Sequence, residues 1–277
     1  MSGGPAQAVE AHYSSQSLAE RILAALKESG KDPAALSRDD LAPVDEFHTR
    51  GRLATAELAE FARLKAGQQV VDVGSGLGGP ARHLAEVHGC RVTGLDLTEE
   101  FCRVAAMLSE RTGLDGQVSF RHGSALEMPF EDQSFDVAWT VQAQMNIADK
   151  ARFYGEIHRV LKPGGRLVFQ DLFQGQGGEI YCPVPWAGEP SISFLVPPAE
   201  ARETAEAQGF RVTDWRDVTA TSLAWYAQQP DASGKPLPPL GLHLIMGPDA
   251  RLMRENQLRN LQEGRVVLVQ AMLEKQG

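Results

Sequence analysis

From residue 69 onward, the sequence repeats a pattern in which a short apolar run, rich in β-branched residues, is followed by a turn and a helical stretch. The first five runs are QVVDVG, RVTGLDL, QVSFRHG, FDVAWTV and RLVFQDL, and two more, FRVTDWRDV and RVVLVQAML, come later. Runs of this kind predict β-strands. Strands that alternate with helices indicate a parallel sheet with helices on both faces. We therefore predict an α/β fold with a doubly wound sheet of seven strands.

The repeat has a helical segment before it and two interruptions within it. Apolar residues at helical spacing predict one helix from Ser14 to Ser29 and a second from about Leu53 to Leu64. Long insertions on such a sheet are usually lids or binding loops. We predict a single domain over 1–277, and its parts are an N-terminal helical segment (1–66), a ligand-binding core (67–173), two covering insertions (174–198 and 219–264), and a closing helix and strands (199–218 and 265–277).

Charge and cysteine content narrow the classes of partner. Lys and Arg number 27 against 36 Asp and Glu, which gives a formal net charge of −9. No basic block offsets this acidity, and no apolar run is long enough to span a bilayer. Cys90, Cys102 and Cys182 lie far apart, so they fit neither a disulfide framework nor a metal site. We predict a cytoplasmic small-molecule enzyme, monomeric or homodimeric, that binds no nucleic acid, membrane or metal.

A glycine-rich turn directly follows the first strand. Gly74, Gly76 and Gly79 have GxGxxG spacing, and Asp96 ends the next strand 20 residues after Gly76. This spacing also fits a dinucleotide-binding fingerprint, so a nicotinamide-dependent oxidoreductase stays an alternative. Asp72, two residues before the first glycine, would repel a pyrophosphate. An adenosine with a cationic tail suits both acids, because the two oxygens of Asp96 match a ribose diol.

Four motifs in order carry a family resemblance. VVDVGSGLGG, VTGLDLT, FRHGSALEMPFEDQSFDVAWT and RVLKPGGRLVFQD resemble the motifs of class I S-adenosylmethionine-dependent methyltransferases. The resemblance runs from about residue 45 to 173. It implies a Rossmann-like sheet whose last strand is antiparallel, with S-adenosyl-L-methionine as cofactor and S-adenosyl-L-homocysteine as product. DEFHTRG, GSGLGGPAR and MNIADK are most similar to bacterial sarcosine and dimethylglycine N-methyltransferases, and more distantly to quinone C-methyltransferases.

The resemblance also implies which residues hold the cofactor. The glycine turn would pass the methionine half, where side chains would block the approach, and Asp96 would bind the ribose. Asp72 would face the cationic tail, or it would cap the turn and touch no ligand. Ser124 stands where many relatives have an aspartate that accepts from the adenine amino group, so this contact departs from the family pattern. The cofactor-binding residues predicted in this way are Asp72, Gly74, Ser75, Gly76, Asp96, Leu97, Ser124, Ala125 and Gln142.

Two residues are candidates for catalysis. Gln142 follows the fourth strand, at the carboxyl edge where such sheets bind ligands, although it could equally begin a solvated helix. His48 lies in the segment that folds over the cofactor in relatives, and it is the best candidate for a titrating group near the methyl. The alternative for His48 is a structural, hydrogen-bonded histidine.

Aromatic residues are concentrated in the insertions. Rings that converge on a site can hold a methylated ammonium by cation–π attraction, and the predicted substrate-binding residues are Tyr181, Trp186 and Trp225. The alternative is that these rings pack the insertions onto the sheet.

The sequence predicts in-line methyl transfer to a small-molecule acceptor, with an amine nitrogen favoured. A tertiary amine has no proton to lose, whereas a hydroxyl or carbon acid would need a base, and the chain offers no strong acid–base pair. The alternatives are C- or O-methylation of a quinone-like or other small metabolite, the oxidoreductase, and a non-catalytic cofactor-binding protein.

Overall fold

Seven strands form one twisted sheet in the computed structural model, which describes residues 4–13, 17–229 and 235–276. The strands are β1 (Gln69–Val73), β2 (Arg91–Asp96), β3 (Val118–His122), β4 (Phe135–Val141), β5 (Leu161–Gln174), β6 (Phe210–Asp217) and β7 (Val266–Lys275). Their order is β3-β2-β1-β4-β5-β7-β6. Neighbours among β1 to β5 pair in parallel, and β7 is antiparallel to both β5 and β6. The predicted Rossmann-like sheet with an antiparallel last strand is confirmed.

Helices precede the sheet, connect its strands and fill the second insertion. They are α1 (Pro5–Tyr13), α2 (Leu18–Glu28), α3 (Arg38–Asp45), α4 (Gly51–Ala62), α5 (Gly79–His88), α6 (Glu99–Arg111), α7 (Lys150–Val160), α8 (Pro198–Ala207), α9 (Thr219–Gln228), α10 (His243–Met246) and α11 (Ala250–Gln262). The helix predicted from Ser14 begins at Leu18 in the structure, and residues 14–16 lie outside the described ranges. The helix predicted over Leu53–Leu64 starts two residues earlier, at Gly51.

Both faces of the sheet are buried because successive strand residues point to opposite sides. Phe169 of β5 belongs to the same hydrophobic cluster as Phe153 and Ile157 of α7. The preceding residue, Val168, belongs to the cluster on the other face, together with Leu84 of α5. The strands are therefore apolar on both sides, which is why they read as continuous apolar runs in the sequence.

The N-terminal segment crosses the start of α5 and is fixed there by a buried ion pair. Asp45 accepts from Nη2 of Arg82 at 2.8 Å, and both side chains are almost fully buried. Arg82 also donates to Oγ of Ser109 at 2.9 Å. A Cβ atom on Gly79 would lie 2.3 Å from the carbonyl oxygen of Asp45, so only glycine permits this approach. Residues 45–51, called the strap below, thereby lie beside the glycine turn.

The two insertions pack onto the sheet through apolar side chains. Val184 and Trp186 of the first insertion belong to a hydrophobic cluster that includes Leu268 of β7 and, at its border, Leu223 and Tyr226 of α9. No helix within the described ranges is long and apolar enough to span a membrane. In the same part of the chain, no three His, Cys, Asp or Glu side chains are grouped to hold a metal ion.

Candidate active site

The glycine turn after β1 is open on one side. Gly74 and Gly76 have φ angles of 78° and 52°, which L side chains rarely adopt. The turn is tied to β2, because the amides of Gly74 and Ser75 donate to the carbonyl of Leu95 at 2.8 and 3.1 Å. A Cβ on Gly74 would lie 2.4 Å from Cβ of Ala143, whereas one on Gly76 would meet nothing within 4 Å. The free space beside Gly76 fits the close approach of a ligand.

Asp96 ends β2 with both carboxylate oxygens held by backbone amides. Its Oδ2 accepts from the amide of Gly76 at 2.8 Å, and its Oδ1 accepts from the amide of Thr98 at 2.9 Å. Burial raises the pKa of Asp96, and these hydrogen bonds oppose that rise. Each oxygen keeps a second lone pair. The carboxylate is therefore oriented to accept two further hydrogen bonds from a diol.

Asp72 is a buried carboxyl with one oxygen unsatisfied. It is 2% exposed, and its Oδ2 has no hydrogen-bond partner among the described residues. Burial, together with the negative charge of Asp96, raises the pKa of Asp72 to about 8. A buried oxygen without a partner costs free energy unless a ligand satisfies it. A positively charged ligand would both pair with this group and restore its charge.

The loop after β3 lies beside the end of β2. The amide of Gly123 donates to the carbonyl of Asp96 at 2.9 Å, and Nε2 of His122 lies 3.0 Å from the carbonyl oxygen of Leu97. Ser124 uses its Oγ to accept from the amide of Leu126 at 3.1 Å. These contacts bring Ser124 and the following Ala125 close to Asp96 and Leu97. Their adenine contacts stay a prediction.

Gln142 lies at the carboxyl end of β4 in a left-handed conformation. Its φ is 50°, and its own amide donates to the carbonyl of Gln170 at 2.9 Å. Its Oε1 accepts from the amide of Thr49 at 3.1 Å, whereas its Nε2 is buried with no partner in the described part of the chain. A strained backbone and an unpaired donor at the carboxyl end of a central strand are typical of a functional position.

His48 is engaged within the strap rather than free. Its side chain is 3% exposed, and its Nε2 lies 3.0 Å from the carbonyl oxygen of Gly51 and 3.1 Å from Oγ1 of Thr55. Burial lowers the pKa of His48 to about 4. The imidazole is therefore neutral at pH 7 and is a weak base there. This geometry supports the structural alternative for His48.

The three aromatic residues predicted to bind substrate each have protein partners. The hydroxyl of Tyr181 accepts from Arg259 and Arg265 at 2.9 Å, and the two guanidinium carbons lie 3.8 and 4.2 Å from its ring centroid. Trp186 is 1% exposed and donates from Nε1 to Ser193. The ring of Trp225 packs edge-on against its neighbour Tyr226, with centroids 5.0 Å apart. These contacts support the packing alternative, because cations of the protein already cover the Tyr181 ring.

Sequence reasoning missed a buried polar network around Thr49. Gln257 of α11 donates from Nε2 to Oγ1 of Thr49 at 2.9 Å. Gln270 of β7 donates to Oε1 of Gln170 at 3.1 Å, and the Gln170 side chain reaches the Thr49 carbonyl at 3.5 Å. The sequence feature that pointed to this network was Gln170, a polar residue within the otherwise apolar run RLVFQDL. The network contains neutral groups and connects the strap, the sheet and the second insertion.

A second missed residue, Asp171, fixes the turn after Gln142. Its carboxylate accepts from the amides of Ala143 and Gln144, each at 3.1 Å, and from its neighbour Leu172 at 2.8 Å. Burial raises the pKa of Asp171 to about 6, against the effect of these donors. The buried ammonium of Lys150 holds the far side of the same turn by donating to the carbonyl of Gln144 at 2.6 Å. The position of Gln142 is therefore set by contacts on both sides.

The sequence and the fold are similar to those of known methyltransferases. Residues 71–169 match a family profile described as a methyltransferase domain. The O-methyltransferase rstn1 of Aspergillus nomiae is 31% identical over 189 residues, which cover 66% of this chain and 82% of that protein. The sterol 24-C-methyltransferase ERG6B of Gibberella zeae is 41% identical over 108 residues, but they cover 39% of this chain and 28% of that protein.

Solved structures extend the similarity of the fold. A protein of Galdieria sulphuraria, assigned as a sarcosine dimethylglycine methyltransferase, superposes with a TM-score of 0.60 at 21% identity. The match covers 81% of this chain and 83% of that protein. At this level of identity the similarity shows the fold alone. The relatives act on oxygen, carbon and nitrogen, so their names do not select an acceptor atom.

Proposed function

Because the chain belongs to the class I S-adenosylmethionine-dependent methyltransferases, we propose that it methylates a nitrogen atom of a small amine that binds in its neutral form. The observation that carries this proposal is that the groups hydrogen-bonded to the Gln142 side chain and to Thr49 are uncharged. Thr49, Gln170 and Gln257 are uncharged, and the nearby His48 is paired and weakly basic. A neutral amine attacks without prior removal of a proton by the protein.

Three structural observations support the binding of S-adenosyl-L-methionine at this site. These are the open turn at Gly76, the oriented carboxylate of Asp96, and the unsatisfied oxygen of Asp72. When bound, this molecule supplies a methyl group already activated by its sulfonium. Asp96 would hold the ribose, and Asp72 would pair with the positive charge of the amino-acid half. The other residues that would surround it are Gly74, Ser75, Leu97, Ser124, Ala125 and Gln142.

The chain itself contributes placement and the exclusion of water. Placement of an acceptor about 3 Å from the methyl, in line with the bond that breaks, supplies a large part of the rate enhancement. The strap and α11 meet over the carboxyl edge of the sheet through Thr49 and Gln257. A covered site excludes water and strengthens the polar contacts inside it.

O-methylation is the second candidate, and one comparison favours it. One relative, whose match covers 66% of this chain, is named an O-methyltransferase. A phenol or an enol that ionises by itself would also need no base from the protein. Membership of the methyltransferase family overturns the nicotinamide-dependent alternative that the glycine spacing left open. C-methylation requires a proton to be removed from carbon, and the neutral groups around Gln142 do not favour it.

Single-turnover methyl transfer tests the choice of acceptor atom. Enzyme loaded with methyl-labelled S-adenosylmethionine is mixed with panels of secondary amines and of phenols. We expect label on amines, at a rate that rises with pH as the amine loses its proton. His48→Ala should change this rate less than about tenfold and should keep the shape of the pH profile. Label on phenols alone would establish the second candidate, and loss of the basic limb in His48→Ala would identify His48 as a base.

The raised pKa of Asp72 predicts proton release on ligand binding. At pH 7 a carboxyl with a pKa of about 8 is about nine-tenths protonated. An ammonium ion beside it lowers this pKa, so binding of S-adenosylhomocysteine should release up to about one proton, and its affinity should rise as pH increases from about 6 to 8. Calorimetry in buffers of different ionisation enthalpy measures this number.

Two controls isolate Asp72 as the source of the proton. The variant Asp72→Asn should release none, and 5′-methylthioadenosine, which lacks the ammonium, should bind to the parent protein without the release. Equal proton release by Asp72→Asn and the parent would show that another group titrates.

A further inference from the structure

The side-chain amide of Gln142 is only half satisfied. Its Oε1 accepts from the backbone amide of Thr49 at 3.1 Å and from Oγ1 of Thr49 at 3.4 Å, and the two bonds orient the amide. Its Nε2 is buried and has no partner in the described ranges. A buried donor that the protein leaves unpaired costs free energy. The donor is therefore available to a ligand, and its direction is set by whatever holds Thr49.

Thr49 is held by a residue far away in sequence. Gln257 donates from Nε2 to Oγ1 of Thr49 at 2.9 Å. Thr49 is 3% exposed and Gln257 is 6% exposed, so water does not compete effectively for this bond. Helix α11 of the second insertion thus fixes the strap residue that donates to Gln142.

Gln142 is directly next to the glycine turn. Cβ of Ala143, the following residue, lies 2.4 Å from the position that a Cβ of Gly74 would occupy. Gly74 is the residue that would adjoin the amino-acid half of the cofactor, whereas Asp96 would hold the ribose. An N–H donor at this place suits a carboxylate, because hydrogen bonds to charged acceptors are the stronger class.

We propose that Gln257 and Thr49 are positioning residues for Gln142, and that Nε2 of Gln142 donates to the carboxylate of the cofactor's amino-acid half. The inference rests on the proposed function, since it requires S-adenosylmethionine or its product as the ligand. It gives the second insertion a role in cofactor binding in addition to covering the acceptor. Replacement of Gln257 should then weaken contacts to the amino-acid half and leave contacts to the adenosine half intact.

Calorimetry with two ligands tests the proposal without a known acceptor. S-adenosylhomocysteine carries the amino-acid half, and 5′-methylthioadenosine lacks it. In Gln257→Leu we expect about tenfold weaker binding of S-adenosylhomocysteine and unchanged binding of 5′-methylthioadenosine. Gln262→Leu is the matched control, because Gln262 is exposed near the end of the same helix, and both affinities should be preserved in it.

Variants of Thr49 and Gln142 separate positioning from a general structural effect. Thr49→Val loses the hydroxyl that accepts from Gln257 and donates to Gln142, so it should weaken binding at least as much as Gln257→Leu. Thr49→Ser, which keeps the hydroxyl, should restore the parent affinity. In a Gln142→Ala background, Gln257→Leu should cause no further loss. Equal weakening of both ligands, or additive losses in the double variant, would overturn the proposal. A parent protein that binds neither ligand would contradict the proposed function itself.

Discussion

Replacing Asp96 by alanine is expected to weaken S-adenosylmethionine binding by about 100-fold to 10,000-fold. The carboxylate would accept hydrogen bonds from two ribose hydroxyls, and bonds to a charged acceptor contribute about 1.5–3 kcal/mol each. The same side chain also orders the turn, because it accepts from the amides of Gly76 and Thr98. Asp96→Asn should have a smaller effect, since its amide group keeps one acceptor oxygen but turns a second donor toward a backbone N–H.

Calorimetry with S-adenosylmethionine, S-adenosylhomocysteine and NADH checks this expectation. The parent protein should bind the first two ligands at micromolar concentration and should not bind NADH. Asp115→Ala, which removes an exposed carboxylate just after α6, is the control and should bind as the parent does. Affinity that is unchanged in Asp96→Ala would place the ribose elsewhere, and binding of NADH alone would contradict the assignment of the glycine turn.

The side chains that the sequence predicts to lie close together are those whose positions depend on short-range spacing, and their roles stay predictions. Asp72 is next to last in β1, Asp96 ends the neighbouring β2, and Gly74 lies in the turn between β1 and α5. The structure brings all three together because the carboxyl ends of parallel strands share one edge. The positions of the strands could also be predicted from local sequence. Two-sided burial forces continuous apolar runs, which remain visible in a single sequence.

Long-range pairing explains what the sequence did not predict. Thr49 and Gln257 are 208 residues apart, and no local pattern indicates that a threonine in a loop meets a glutamine in a polar helix. The same limit applies to Tyr181. The concentration of aromatic residues in the insertions suggested that its ring helps to bind a substrate ammonium. Its ring is covered by Arg259 of α11 and by Arg265 of the turn before β7, and only the packing of these residues against the first insertion reveals this.

Replacing Arg82 by leucine is expected to destabilise the fold by about 3–5 kcal/mol. Arg82 is fully buried and donates to Asp45, to Oγ of Ser109 at 2.9 Å and to the carbonyls of Leu77 and Ala105. Leucine fills part of the space but leaves Asp45 as a buried carboxyl without its partner. The strap would then lose its attachment to α5, and with it the contact from Thr49 to Gln142.

The pH dependence of this loss follows from the pKa of Asp45. Burial raises that pKa, and the positive charge of Arg82 opposes the rise. A carboxyl whose pKa is higher in the folded state than in the unfolded state takes up a proton on folding, so its contribution to stability falls as pH rises above about 4. Without Arg82 the pKa of Asp45 rises further. The deficit of Arg82→Leu should therefore grow over the pH range in which Asp45 ionises in the parent but stays protonated in the variant.

Denaturant unfolding at a series of pH values from about 5 to about 9 measures both effects. In the double variant Asp45→Asn with Arg82→Leu, the buried carboxyl is removed, so part of the stability should return at pH 8 and the pH dependence should shrink. Arg103→Leu is the control, because Arg103 forms an exposed pair with Glu100 on α6, and it should unfold as the parent does. A loss of stability that is constant across this range would show that Arg82 acts through packing and its hydrogen bonds rather than by pairing with an ionised Asp45. The charge of Asp45 would then contribute little to holding the strap.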